Sequence, residues 1–116
     1  MTNDPANRPR SLAELLARQP SDAERQHRAN DLIGRARLVR AHGWDAYRYT
    51  WSTGEVAGVA MILDDNAVLY DVAEDESAVL STWSANLWGI AGGEADSDNG
   101  YERTRCWLSE LRVALE

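Results

Sequence analysis

The densest run of chemistry-bearing side chains is Glu94-Ala-Asp-Ser-Asp-Asn-Gly100, which carries three acids in seven residues. An EF-hand calcium loop sets acids at positions 1, 3 and 5, glycine at 6 and a bidentate glutamate at 12. Counted from Asp96, the glycine falls at position 5 and Trp107 occupies position 12. A turn leading into a helix cap accounts for the same residues, and no metal site is expected. His27 and His42 lie fifteen residues apart on one predicted helix. That spacing separates them by roughly 22 Å, too far to share a metal. Cys106 has Arg103 and Arg105 nearby, cations that lower a thiol pKa. It has no histidine in its half of the chain, and reads as a packed helix residue. There is no G-x-S-x-G nucleophile turn. Gly92-Gly93 lacks phosphate-loop spacing, and Glu94, Asp96 and Asp98 would repel an anion. The sequence therefore implies no catalytic residue and no cofactor.

The elements that must hold these residues follow from length and periodicity. A chain of 116 residues is expected to form one domain, here 11–116, behind a disordered polar tail at 1–10. A single cysteine rules out an internal disulfide and fits a reducing compartment. The first ten residues do not read as a secretory signal. The longest apolar run, Val56 to Leu63, is too short to span a bilayer. A soluble cytoplasmic protein without membrane contact is expected. Twelve arginines with no lysine, and seventeen alanines with no phenylalanine, point to a GC-rich bacterial or phage genome.

Ser11-Leu-Ala-Glu14 and Ser21-Asp-Ala-Glu24 are capping boxes. They predict a short helix with Leu12, Leu15 and Leu16 on one stripe, then a long one over 22–42. Ala29, Leu32, Ile33, Ala36 and Val39 or Arg40 keep helical spacing on the second, and Gly43 ends it. Tyr47, Tyr49 and Trp51 then alternate with polar residues, which predicts a strand over 46–52. Thr53-Gly54 reads as a hairpin turn, Val56 to Leu63 as a central strand, Asp64-Asp65-Asn66 as a second turn and Ala67 to Ala73 as a third strand. A helix over 76–88 with Val79, Leu80, Trp83 and Leu87 inward should end at Gly89. A loop over 90–99 and a last helix with Tyr101, Thr104, Trp107 or Leu108, Leu111 and Leu115 on one stripe complete the chain. The expected fold is therefore α+β: two helices, a three-stranded antiparallel meander and two helices.

The helix, three strands and helix from 22 to 88 resemble double-stranded-RNA-binding domains in element order alone. Those domains grip phosphates at the start of their second helix. Here that start is Glu74-Asp75-Glu76, so the function does not carry over. Residues 1–48 hold nine arginines and six acids, whereas 49–116 hold three arginines and thirteen acids. With a net charge of −7, the chain is expected to bind nucleic acid weakly if at all.

Five tryptophans and four tyrosines remain to be placed. Such side chains are enriched in interfaces. Tyr47, Tyr49 and Trp51, on what should be an edge strand, and Trp88 are the interface candidates. The expected function is a non-enzymatic one through protein contact, as an accessory, immunity or chaperone-like protein with a protein partner or as a homodimer. One alternative is a small-molecule-binding or enzymatic domain with a Trp/Tyr-lined pocket. The other is a nucleic-acid-linked regulator using the arginine-rich helix 21–42.

Overall fold

The computed structural model describes residues 11–73 and 75–116. The expected tail at 1–10 lies outside them. Six helices follow one another: α1 (Leu12–Ala17), α2 (Asp22–His42), α3 (Thr53–Leu63), α4 (Asn66–Ala73), α5 (Glu76–Asp98) and α6 (Glu102–Leu115). Among the described residues there is no strand, so the α+β meander is replaced by an all-helical fold.

Each predicted strand fails for a local reason. Ser52-Thr-Gly-Glu55 is a complete capping box: the Glu55 amide donates to the Ser52 hydroxyl at 3.2 Å, and the Ser52 amide donates to the Glu55 carboxylate at 3.0 Å. The reading of Thr53-Gly54 as a hairpin turn overlooked it. The apolar run behind this box has no clear period, and a short buried helix leaves the same trace as a central strand. Val56, Ala57, Gly58, Val59, Ala60 and Ile62 are all buried. A helix that is apolar all round belongs in the middle of a bundle, and α3 touches α2, α4, α5 and α6. Asp64 then takes a left-handed turn (φ 57°). Asp65 caps α4, accepting from the Val68 amide at 3.2 Å. The expected third strand is thus α4, with Val68 and Leu69 buried on one face and Tyr70 exposed.

Segment 43–52 forms consecutive turns. Trp44 and Tyr47 carbonyls accept from amides three and four residues on. Tyr47 and Trp51 are one turn apart and stack at 4.7 Å between ring centroids. Their two-residue alternation is therefore a four-residue contact.

The expected loop over 90–99 is also helical. Gly89 ends the first arm of α5 as predicted, but with φ 82° and ψ −176° it breaks the helix without ending it, and a second arm runs over 90–98. Gly93 lets the arms approach: a Cβ there would lie 3.1 Å from the Ala85 Cα. Asn99 does not cap α6. Tyr101 starts α6 in the left-handed conformation without a side-chain cap.

The elements read correctly are those with full helical period. α2 buries Ala29, Leu32, Ala36 and Val39 and ends on Gly43. α6 buries Thr104, Trp107, Leu108, Leu111 and Leu115. Two close approaches organise the core around them. Trp83 lies flat on α3, where a Cβ on Gly58 would meet its ring at 2.9 Å, and it stacks on Trp107 at 5.8 Å. Arg112 of α6 donates to the Met61 and Ile62 carbonyls at 2.7 and 3.2 Å, closing the C-terminal end of α3.

Gly89 has the strictest requirement. Its dihedrals fall in a region that is essentially glycine-only, and a Cβ would lie 2.1 Å from the Arg18 carbonyl oxygen. Gly89→Ala should therefore cost about 2 kcal/mol or more in chemical denaturation. Gly34→Ala, in open space on α2, should instead stabilise by up to about 1 kcal/mol.

Candidate functional site

The sequence-derived interface residues do not form one surface. Trp51 is half-buried, with the Arg35 guanidinium 4.8 Å above its ring. Arg35 also pairs with Asp31 and Glu55, each at 2.7 Å. The Trp44 indole donates to Asp65 at 2.9 Å, and Arg48 pairs with Asp71. These contacts tie segment 43–52 to α2 and to the α3–α4 corner. Tyr47, stacked on Trp51, is half-buried with it, while Tyr49 stands out at 85% exposure. With no strand here, the edge argument for this segment is gone.

Trp88 is buried, on the first arm of α5. The guanidinium carbons of Arg103 and Arg25 lie 3.8 and 5.2 Å from its ring centroid, a distance at which cation and ring attract. Arg25 also donates to the carbonyls of Pro20 at 2.6 Å and Leu87 at 3.2 Å. It thereby fastens the α1–α2 linker to the end of the first arm, where the break at Gly89 leaves carbonyls without helical partners.

Beneath Trp88 runs a buried polar chain that the sequence reading missed. The indole N–H donates to the Thr104 hydroxyl at 3.0 Å, and Thr104 donates to Asp96 at 2.6 Å. The Ser84 hydroxyl reaches the same Asp96 oxygen at 2.9 Å. The other carboxylate oxygen accepts from the Arg103 amide at 2.9 Å. Asp96 thus supplies the helix start that Tyr101 cannot, from seven residues upstream of that amide. Burial pushes its carboxyl up. Hydrogen bonds from the Thr104 and Ser84 hydroxyls and the Arg103 and Thr104 backbone outweigh burial and hold it below the ordinary 3.8. Asp96 is 2% exposed and its oxygens point inward. The residue that looked most like a calcium ligand is a structural joint. Among the described residues no cluster of three His, Cys, Asp or Glu side chains could hold a metal.

The exposed apolar surface lies elsewhere. None of the six residues of α1 is buried. Leu12, Leu15 and Leu16 are 70%, 44% and 36% exposed. The helix packs on α5, and just past its C-terminal end the Arg18 carbonyl and the Gln19 Cα crowd Gly89. Ile90, next to that contact, is 52% exposed. The leucine stripe was visible in the sequence; its exposure was not, because an amphipathic period is ordinarily read as a buried face. A second feature is an apolar cleft of about 290 Å³ between α3, α4 and α5, floored by Trp83. Among the described residues no helix is long and apolar enough to cross a membrane.

The Asp96 joint has a measurable signature. Its folded-state pKa is depressed, so its contribution is present above the unfolded-state value and is lost as pH falls through the lower folded value. Asp96→Asn should lower stability at neutral pH by about 2 kcal/mol. The gap between variant and wild type should shrink below about pH 4, in urea melts followed by tryptophan fluorescence.

Comparison with protein-family models, with curated proteins and with solved structures finds no match, so the residues themselves carry the functional reading.

Proposed function

We propose that this protein acts by binding another protein chain, with the leucine face of α1 as its contact element. One observation carries the reading: α1 holds three leucines at helical spacing and buries none of them. A helix this short is marginal in water on its own. Here it is fastened at its C-terminal end by a close backbone approach to Gly89 and by the Arg25 clamp on Pro20. The leucines therefore remain available to a partner. Leucines one turn apart on a short helix are what a helix-in-groove contact uses as anchors, and exposed apolar patches of this kind mark interaction sites.

The placement of two α2 arginines supports this reading over phosphate binding. Arg25 and Arg35 face Trp88 and Trp51 and pair with acids of the same chain. The row of free arginines that a phosphate-gripping helix presents is interrupted at both.

Leu12→Glu with Leu16→Glu alters side chains that lie outside the core, 70% and 36% exposed. The melting transition should stay within about 0.5 kcal/mol of wild type. Cross-linking capture from the native host should then lose any partner that wild type retains. Equal recovery by the double variant would refute the role of α1.

A further inference from the structure

We infer that Asn99 is a site of covalent self-modification. The backbone nitrogen of Gly100 converts its side-chain amide to aspartate and isoaspartate, and the Asp96 joint holds that reaction in check.

The chain has six asparagines, and only Asn99 is followed by glycine. The reaction depends on that neighbour. The Gly100 nitrogen gives up its proton and bonds to Cγ of Asn99, the Cγ–Nδ2 bond breaks, and ammonia leaves. A five-membered succinimide results. Water then opens one of its two ring C–N bonds. Opening at Cγ gives aspartate. Opening at the main-chain carbonyl carbon gives isoaspartate, with the backbone rerouted through the side chain. A following residue with a Cβ shields the attacking nitrogen and restricts the dihedrals around it, whereas glycine does neither. Asn99 and Gly100 are both exposed, so water reaches the site.

The folded geometry opposes the first step. Ring closure requires the Gly100 nitrogen on the Cβ side of Asn99, and with ψ 19° it lies on the opposite side. The Gly100 amide donates to the Ser97 carbonyl at 3.1 Å, and the Asn99 side-chain amide donates to the Ala95 carbonyl at 3.2 Å. Both reacting groups are therefore engaged. Turning the Asn99 backbone into the reactive conformation would swing the residues that follow it. Two hydrogen bonds resist: the Tyr101 amide donates to the Asp96 carbonyl at 2.7 Å, and the Arg103 amide donates to the Asp96 carboxylate at 2.9 Å. The Ser84 and Thr104 hydroxyls fix that carboxylate in turn. Modification thus proceeds from a locally opened joint, and its rate reports how often the joint opens.

The isoaspartyl product acts back on the joint. It adds one carbon to the backbone between residues 99 and 100, about 1.5 Å of extra path. Both Asp96 hydrogen bonds span that point, and a shift of that size takes a hydrogen bond out of range. Loss of ammonia makes the change one-way, so a molecule that has reacted keeps a loosened joint.

Peptide mass spectrometry tests this on the full chain aged in mildly alkaline buffer. It locates the exchange of ammonia for water, and an isoaspartyl methyltransferase assay detects the rerouted backbone. In urea, Asn99 should react faster than the other five asparagines, and Gly100→Ala should remove that lead. In the native protein Asn99 should react at least about tenfold more slowly than in urea. Ser84→Ala and Thr104→Val each take one donor from Asp96, and a thermal melt confirms that they fold. Each should raise the native rate about fivefold or more and leave the rate in urea unchanged. Isoaspartyl protein, formed in urea, refolded and isolated, should unfold at lower urea than the unmodified chain. An Asn99 no more reactive in urea than the other asparagines would overturn the inference as a whole. Equal native and urea rates would overturn the protection, and unchanged native rates in both variants would overturn the link to Asp96. An unshifted unfolding midpoint would overturn the loosening.

Discussion

The fold turns on the absence of a side chain at position 89. With φ 82° and a carbonyl oxygen 2.1 Å from where a Cβ would stand, Gly89 is both a backbone break and a docking point. The break redirects the second arm of α5, and Gly93 lets that arm pass close to Ala85. Only this path brings Asp96 to Ser84 on the first arm and to the start of α6. The buried carboxylate then joins three helical segments through one group. Such a network specifies a single arrangement because each lost bond strands a buried partner. The docking point has the opposite effect on α1. Since its end is held by backbone contact with a glycine and by an arginine clamp, its leucines are left out of the core. The same residue that closes the body leaves the leucine face of α1 exposed.

The legible parts of the sequence were those in which capping and periodicity agreed. α2 has a capping serine, a stripe from Ala29 to Val39 and a terminal glycine, and each signal points to the same helix. α3 has the same capping signal at Ser52 and Glu55, but no stripe behind it, since both faces are buried. Composition was the remaining discriminator: Ala57, Gly58 and Ala60 are poor strand residues. The aromatic alternation at 47–51 misled for another reason. Periods of two and four share every second member, so Tyr47 and Trp51 satisfy both. Tyr49, the residue that separates the two periods, is the one turned to solvent.

The candidate site was half legible. Leu12, Leu15 and Leu16 were visible as a stripe, yet nothing local distinguishes a leucine face that enters the core from one that leaves it. That depends on Gly89, more than seventy residues away in the chain. Asp96 was visible as an acid in an acid-rich segment. Its burial depends on hydroxyls from Ser84 and Thr104, which no ligand spacing encodes. Trp88, an interface candidate by sequence, is buried. The two arginines that lie over it come from helices at opposite ends of the sequence.

Charge and hydrophobicity are divided between the two halves of this chain in a way that bears on its solubility. An exposed leucine face on a near-neutral protein would favour indiscriminate association. A formal charge of −7 opposes that, because most surfaces of one copy repel most surfaces of another. Repulsion is not uniform, however. The acids crowd the helices after Tyr49, while the leucines are carried by the arginine-bearing half. In the folded chain, by contrast, Arg35, Arg48 and Arg105 lie on Glu55, Asp71 and Glu76, so arginines neutralise part of the acidic stretch. The folded surface is therefore less divided in charge than the sequence, because Arg35 and Arg48 carry positive charge across the boundary that the sequence draws near Tyr49.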